Sequence, residues 1–203
     1  MIIDSINTVH SNDFIGCHGR YHTMYVVDTV EYILLSLFYD ARTIELGKIV
    51  ALLHDIGTIA GRKNHAQKSA ALASVLLDET TRVLPKERDF IINAIYDHSE
   101  GKNISSALGA ALLIADKTDI SKKRLLPDKT LDDWHKNIME IENVDINISG
   151  KVISIYYLTT DKFSEKIFAS ESAKFHSIPK RAAIFLDCAC HFQINDEEKM
   201  VVL

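Results

Sequence analysis

Histidine and aspartate recur in this 203-residue chain at positions that helical spacing turns inward. His22 shares a face with Val26, Val30, Ile33, Leu34 and Leu37, at i, i+4, i+8, i+11, i+12 and i+15. His54 and Asp55 close the nearly all-apolar run from Ile44. His98 follows Phe90, Ile91, Ala94 and Ile95 on one face, and Asp116 follows Leu112-Leu113-Ile114-Ala115. Burying an imidazole or a carboxylate is costly unless it is hydrogen-bonded, paired or bound to a metal. A single inward His is ordinarily a hydrogen-bonded core residue. Five such groups aimed at one core point instead to a shared ion, held by side chains of facing helices.

The His54-Asp55 pair is the sharpest element. Neighbours on a helix point about 100° apart and do not share a target. At a helix end the last turn loosens, and both side chains can reach one ion. Imidazole with carboxylate suits Mn, Fe, Co, Ni or Zn better than Ca. No Cys lies near the set, so a structural zinc site is not indicated. The remaining His (His10, His135 and His176) show no ligand spacing, and substitution of His176 is expected to be near neutral. His18, four residues before His22, joins the set only if the helix begins early. Cys188, Cys190 and His191 lack a second Cys pair and read as helix-core and helix-end residues.

The elements that must position these groups are mainly helices. The spacing predicts helices over about 21–38, 44–55, 65–78, 85–98 and 106–116, and one more marked by Leu131, Trp134, Ile138 and Ile141. The 44–55 helix should be the central, buried one. Gly57 stands where a helix end puts its left-handed residue, Asn64 is a candidate N-cap, Pro85 suits a first turn, and Ser105 or Ser106 should cap the next helix. After Asn143 the period changes to two. Val144, Ile146 and Ile148 alternate with polar residues, Ser149-Gly150 signals a turn, and 152–158 is rich in β-branched and aromatic residues. A hairpin should be followed by a helix over about 163–176, a second after Pro179, and a final strand or frayed end from Phe192. The fold class is therefore mainly α: a helical bundle over 1–143 and a small α+β appendage over 144–203, packed on it or paired across a homodimer. Trp134 reads as core packing.

His22, then His54-Asp55, then Asp116, on successive helices, resembles the HD superfamily of metal-dependent phosphohydrolases. The local text agrees in Leu52-Leu53-His54-Asp55-Ile56-Gly57 and Ala115-Asp116-Lys117. The resemblance covers about residues 18–124. His65 and His98 are similar to the additional ligands of the branch that holds two ions. The stretch from His98-Ser99-Glu100-Gly101 to Ala115-Asp116-Lys117 is also similar to hydrolases of symmetrical dinucleoside tetraphosphates. The Gly-Tyr-Pro signature of the cyclic-dinucleotide branch does not follow His98. The resemblance implies an HD-domain bundle in which His22, His54, Asp55 and Asp116 hold one divalent metal and Asp55 bridges to a second at His65 and His98. The ions would be Mn, Fe, Co, Ni, Zn or Mg, and two of them can clamp a phosphate and activate a water. Cations must offset the phosphate charge. Arg20 and Lys117 flank ligand positions and are preferred over Lys63, Lys68 and Arg124. Asp119 is placed to orient a ligand or a water. The expected substrate is a nucleotide or another small phosphorylated metabolite. The same ligand set also serves diiron oxygenases of the superfamily, and a non-catalytic nucleotide or metal sensor is the third reading.

Composition narrows the alternatives. A chain that is 47% apolar and 25% charged is ordinary for a globular protein. A net charge of −5 argues against a general nucleic-acid binder, which needs a basic footprint. No run approaches the roughly 18 apolar residues of a membrane span. Residues 1–13 carry two acids and no Lys or Arg, unlike a signal peptide. Three Cys cannot build a disulfide framework. A cytoplasmic protein is expected.

Overall fold

A computed structural model describes residues 18–80, 82–125 and 131–195. His10, Cys17, the segment 1–13 and the end after 195 lie outside the described residues. The chain is mainly helical with one small sheet. Helices α1 (Arg20–Ser36) and α2 (Ala41–Leu53) lead into a 3-10 turn (Ile56–Ala60). Helices α3 (His65–Asp78), α4 (Pro85–Asp97) and α5 (Ala107–Thr118) follow, then a second short 3-10 turn (Lys122–Arg124) and α6 (Asp133–Met139). The remainder is β1 (Ile141–Ser149), β2 (Val152–Thr159), α7 (Glu165–Glu171), α8 (Ala173–Phe185) and β3 (Ala189–Ile194). Among the described residues no helix is long and apolar enough to cross a membrane.

The central helix is α5, not α2. In α5 every residue from Leu108 to Asp116 is buried, and α1, α2, α4 and α8 all pack on it. Its Gly109, Ala110, Ala111 and Ala115 are small enough to let neighbours approach from several sides. In α2 only Leu46, Gly47, Val50 and Ala51 are buried, and Leu52 is exposed. Apolar count alone mistook a one-faced helix for a buried one. In α1 the buried stripe (His22, Val26, Val30, Ile33, Leu34) follows the predicted face. Ser106 caps α5 by accepting from the Gly109 amide.

The hairpin forms as its period predicts, with β1 antiparallel to β2 and Gly150 left-handed in the turn (φ +56°). Ile141 opens β1 instead of closing α6. β3 runs parallel to β2, with Ile155 opposite Phe192. A parallel return needs a crossover, which α7 and α8 supply. Pro179 lies inside α8, not before a new helix; the break falls at Ser172, between α7 and α8. His176 is buried, with its ring against Phe168, Tyr157 and Phe192 and its Nδ1 3.1 Å from Ser172 Oγ. Its removal would open a cavity in the core, so the neutrality read from its spacing does not hold. Burial lowers its pKa to about 4.

Candidate metal centre

Two helix ends and one tight turn assemble the site. His54 sits at the C-terminal end of α2 in helical conformation, and Asp55 then leaves the helix (φ −112°, ψ 7°). This loosening lets adjacent side chains converge. His98 takes the same place at the end of α4. Each imidazole accomplishes two things there. Nδ1 of His54 donates to the Ala51 carbonyl (2.7 Å) and Nδ1 of His98 to the Ile95 carbonyl (2.6 Å). These bonds engage carbonyls of the last helical turn, the Ile95 one also taking a long bond from the His98 amide (3.4 Å). They also place the proton on Nδ1 and leave Nε2 with its lone pair. His65, at the start of α3, donates Nδ1 to the Arg62 carbonyl (3.1 Å), and His22 donates Nδ1 to Asp119 Oδ2 (2.7 Å).

All four Nε2 atoms face one another, and with the proton on Nδ1 each offers a lone pair. His22 and His54 Nε2 are 3.3 Å apart; His65 and His98 Nε2 are 3.1 Å apart. Two lone pairs at that distance repel unless a cation lies between them. Asp55 joins the two pairs. Its Oδ2 is 3.1 Å from His54 Nε2 and 3.6 Å from His22 Nε2. Its Oδ1 is 3.4 Å from His98 Nε2 and 3.5 Å from His65 Nε2. Asp116 Oδ1 completes the first group at 3.3 Å from His22 Nε2. Asp55 Oδ1 is buried without a hydrogen-bond partner, a state that bound cations relieve. The electronegative ends of α2 and α4 both meet the cluster and favour positive charge. Ligands at about 2.1 Å from one ion and at right angles around it would be about 3 Å apart, which is the spacing of these nitrogens. The donor atoms of His22, His54 and Asp116, and of His54, Asp55 and His98, lie close enough together that these buried groups could hold a metal ion.

The electrostatics agree. Burial opposes charge on His54, but Asp55 and Asp116 outweigh it and raise the imidazole above its ordinary value. Burial pushes Asp55 up, yet His54 and the hydrogen bond from the His18 ring hold it well below the usual carboxylate range. Asp116 is held low likewise, against burial, by Lys117 and His22. Burial lowers His65.

All six residues expected to hold metal (His22, His54, Asp55, His65, His98 and Asp116) converge here. The phosphate-side expectations divide. Lys117 lines the adjoining cavity and pairs with Asp116 (2.6 Å). Arg20 stands exposed on the first turn of α1 and is not among the residues lining that cavity. Lys68 is turned to the carbonyls of Ala60 and Gly61. Arg62 and Arg124 line the cavity, and Arg124 Nη1 donates to the Asp119 carbonyl (2.9 Å). Spacing gave little weight to His18, yet its Nδ1 lies 2.6 Å from Asp55 Oδ2, and burial takes its pKa down to about 4, so the neutral ring donates. His18 precedes α1, where helical periodicity carries no signal. Asp119 orients His22, as its position suggested.

Gly57 is needed for close approach, not for a left-handed turn. Its φ is not positive, but a Cβ there would meet Ser69 N at 2.3 Å and His65 O at 2.7 Å. Its amide donates to Ser69 Oγ (2.9 Å), which seats the 3-10 turn against α3 and brings His65 to Asp55. Gly57→Ala should cost about 3 kcal/mol, since backbone atoms cannot yield as a side-chain tip does. Thermal melting with metal analysis checks this. The expected result is a lowered Tm and weaker metal binding. An unchanged melt and metal content would show that the turn moves freely.

No family model and no curated protein matches the chain. Among solved structures it is similar to a predicted HD superfamily hydrolase from an uncultured Thermotogales bacterium. The identity is 24%, over 59% of this chain and 67% of that one, with a TM-score of 0.47.

Proposed function

We propose that the protein is a metal-dependent phosphohydrolase that cleaves a phosphoester or phosphoanhydride of a nucleotide or another small phosphorylated metabolite. The observation that carries this reading is the facing of two Nε2 pairs across one buried carboxylate. Divalent ions held there would supply a Lewis acid for phosphate oxygens and a water acidic enough to attack near neutral pH. His22, His54, Asp55 and Asp116 would hold one ion, and Asp55, His65 and His98 the other. The chain's own residues do the rest. His18 donates to Asp55 and fixes its orientation. Asp119 fixes the His22 ring. Lys117, Arg124 and Arg62 bring positive charge to the cavity beside the ligands, where phosphate oxygens would lie. No Ser or Cys nucleophile is required.

The test is metal analysis together with turnover. Protein purified without chelator should saturate at two ions per chain, the second bound more weakly. It should release product from p-nitrophenyl phosphate or its bis ester, and chelation should stop this. One ion per chain at saturation would leave His65 and His98 as substrate-side residues. Dioxygen uptake without phosphoester cleavage would favour an iron oxygenase instead.

A further inference from the structure

The cavity beside the ligand cluster has two chemically different parts. Its volume is about 480 Å³, within the range of pockets for organic ligands and larger than a phosphate alone requires. Lys117, Arg124 and Arg62 mark the polar part. The apolar part is walled by Leu125, Trp134, Ile138 and Phe175, none of which lies on the helices that carry the six ligands.

This second wall is built to be rigid. The Trp134 indole lies 5.8 Å from Phe168 at 20° and 5.8 Å from Phe175 at 18°, so the three rings run nearly parallel. Phe168 is fully buried and anchors the set. The short helix α6 that presents Trp134 is tied down at both ends. Asp132 accepts from the His135 amide (2.8 Å), and Asn137 exchanges two hydrogen bonds with the Ser164 backbone (3.0 and 2.7 Å). Trp134 and Phe175 are only partly buried, and both keep ring surface on the cavity. Flat aromatic surface fixed beside a phosphate-sized polar end attracts another flat ring by offset stacking or edge contact, and does so without reading its polar edge.

We propose that this aromatic wall selects phosphate substrates whose organic part carries a flat, largely apolar ring, with Trp134 as the specificity-determining residue. The inference rests on the phosphohydrolase reading for the phosphate end. It gives the segment after residue 131 a part in the site, because the wall comes from α6 and α8.

Trp134 is the sole tryptophan of the chain, so intrinsic emission reports on the wall directly. The metal-loaded protein is titrated with phenyl phosphate, glycerol 3-phosphate and inorganic phosphate. Phenyl phosphate should change the emission saturably and bind about tenfold or more tightly than glycerol 3-phosphate. In turnover, Trp134→Ala should cut the preference for phenyl phosphate over glycerol 3-phosphate, read as the ratio of their kcat/KM values, about tenfold, and Trp134→Phe should restore most of it. Equal affinity for the two esters, or equal losses on both in Trp134→Ala, would overturn the proposal. Emission that discriminates the ring ester while no ester is cleaved would uphold the wall and reject the phosphohydrolase reading. Cleavage of both esters with no discrimination would do the reverse.

Discussion

Asp55→Ala should abolish phosphoester turnover and strip the metal. Asp55 faces both imidazole pairs, through Oδ2 on one side and Oδ1 on the other. On the proposed function, its loss removes a ligand from each group and charge that offsets the bound metal. The fall in kcat/KM should be at least about 10³-fold, since the chemistry assigned to the ions goes with them. Asp55→Asn separates ligand loss from fold loss. An amide of the same shape can still accept from His18, so this variant should melt as a folded protein while holding little metal and turning over no faster than the Ala form. Lys166→Ala, exposed on α7, serves as the neutral control. Metal content and rate persisting within about twofold in the Ala variant would remove Asp55 from the centre of the site, for a lost ligand cannot be that cheap.

The His/Asp cluster was legible because burial of polar groups is itself a signal. His22, His54, His98 and Asp116 stood out as ionisable residues on apolar faces, and those faces are buried. What periodicity could not carry is whatever sits outside a helix or depends on distant partners. His18 precedes α1, and its bond to Asp55 spans 37 positions. The reason for Gly57 was misread because a close approach to α3 and a left-handed turn leave the same letter in the sequence. The central role of α5 over α2 was hidden because both runs are apolar, and only the small residues of α5 distinguish a helix packed on several sides. The aromatic wall is the largest omission. Trp134, Phe168 and Phe175 are spread over 42 positions and three helices, and each alone looks like ordinary core. The parallel pairing of β3 with β2 is likewise non-local, since a strand's own residues do not encode the direction of its partner.

Deleting residues 144–203 should yield insoluble or molten protein. The helices and the sheet share one core: Val144, Ile153, Ile155, Tyr157, Phe168, Ile178, Ala182, Ala183 and Phe192 are buried in the same cluster as Leu112, Ile114 and Ala115. Helix α8 packs along α5, so the deletion would lay bare a face of the central helix that has almost no polar residues. Truncating one large buried side chain costs about 2–5 kcal/mol, and a whole domain is stable by only about 5–15 kcal/mol. Losing several such side chains at once exceeds that margin. Only β1's first three residues would remain of the sheet, with no partner strand, and a two-stranded hairpin is itself marginal in water. The shortened chain should therefore show no cooperative thermal transition and should bind a hydrophobic dye, with helix content partly retained. The ligand residues all precede the cut, so weak metal binding could survive in such a state without an ordered cavity. A soluble, monomeric 1–143 fragment that melts cooperatively and keeps full activity would show the opposite: a helical domain that closes its own core, and a tail that is a separate module.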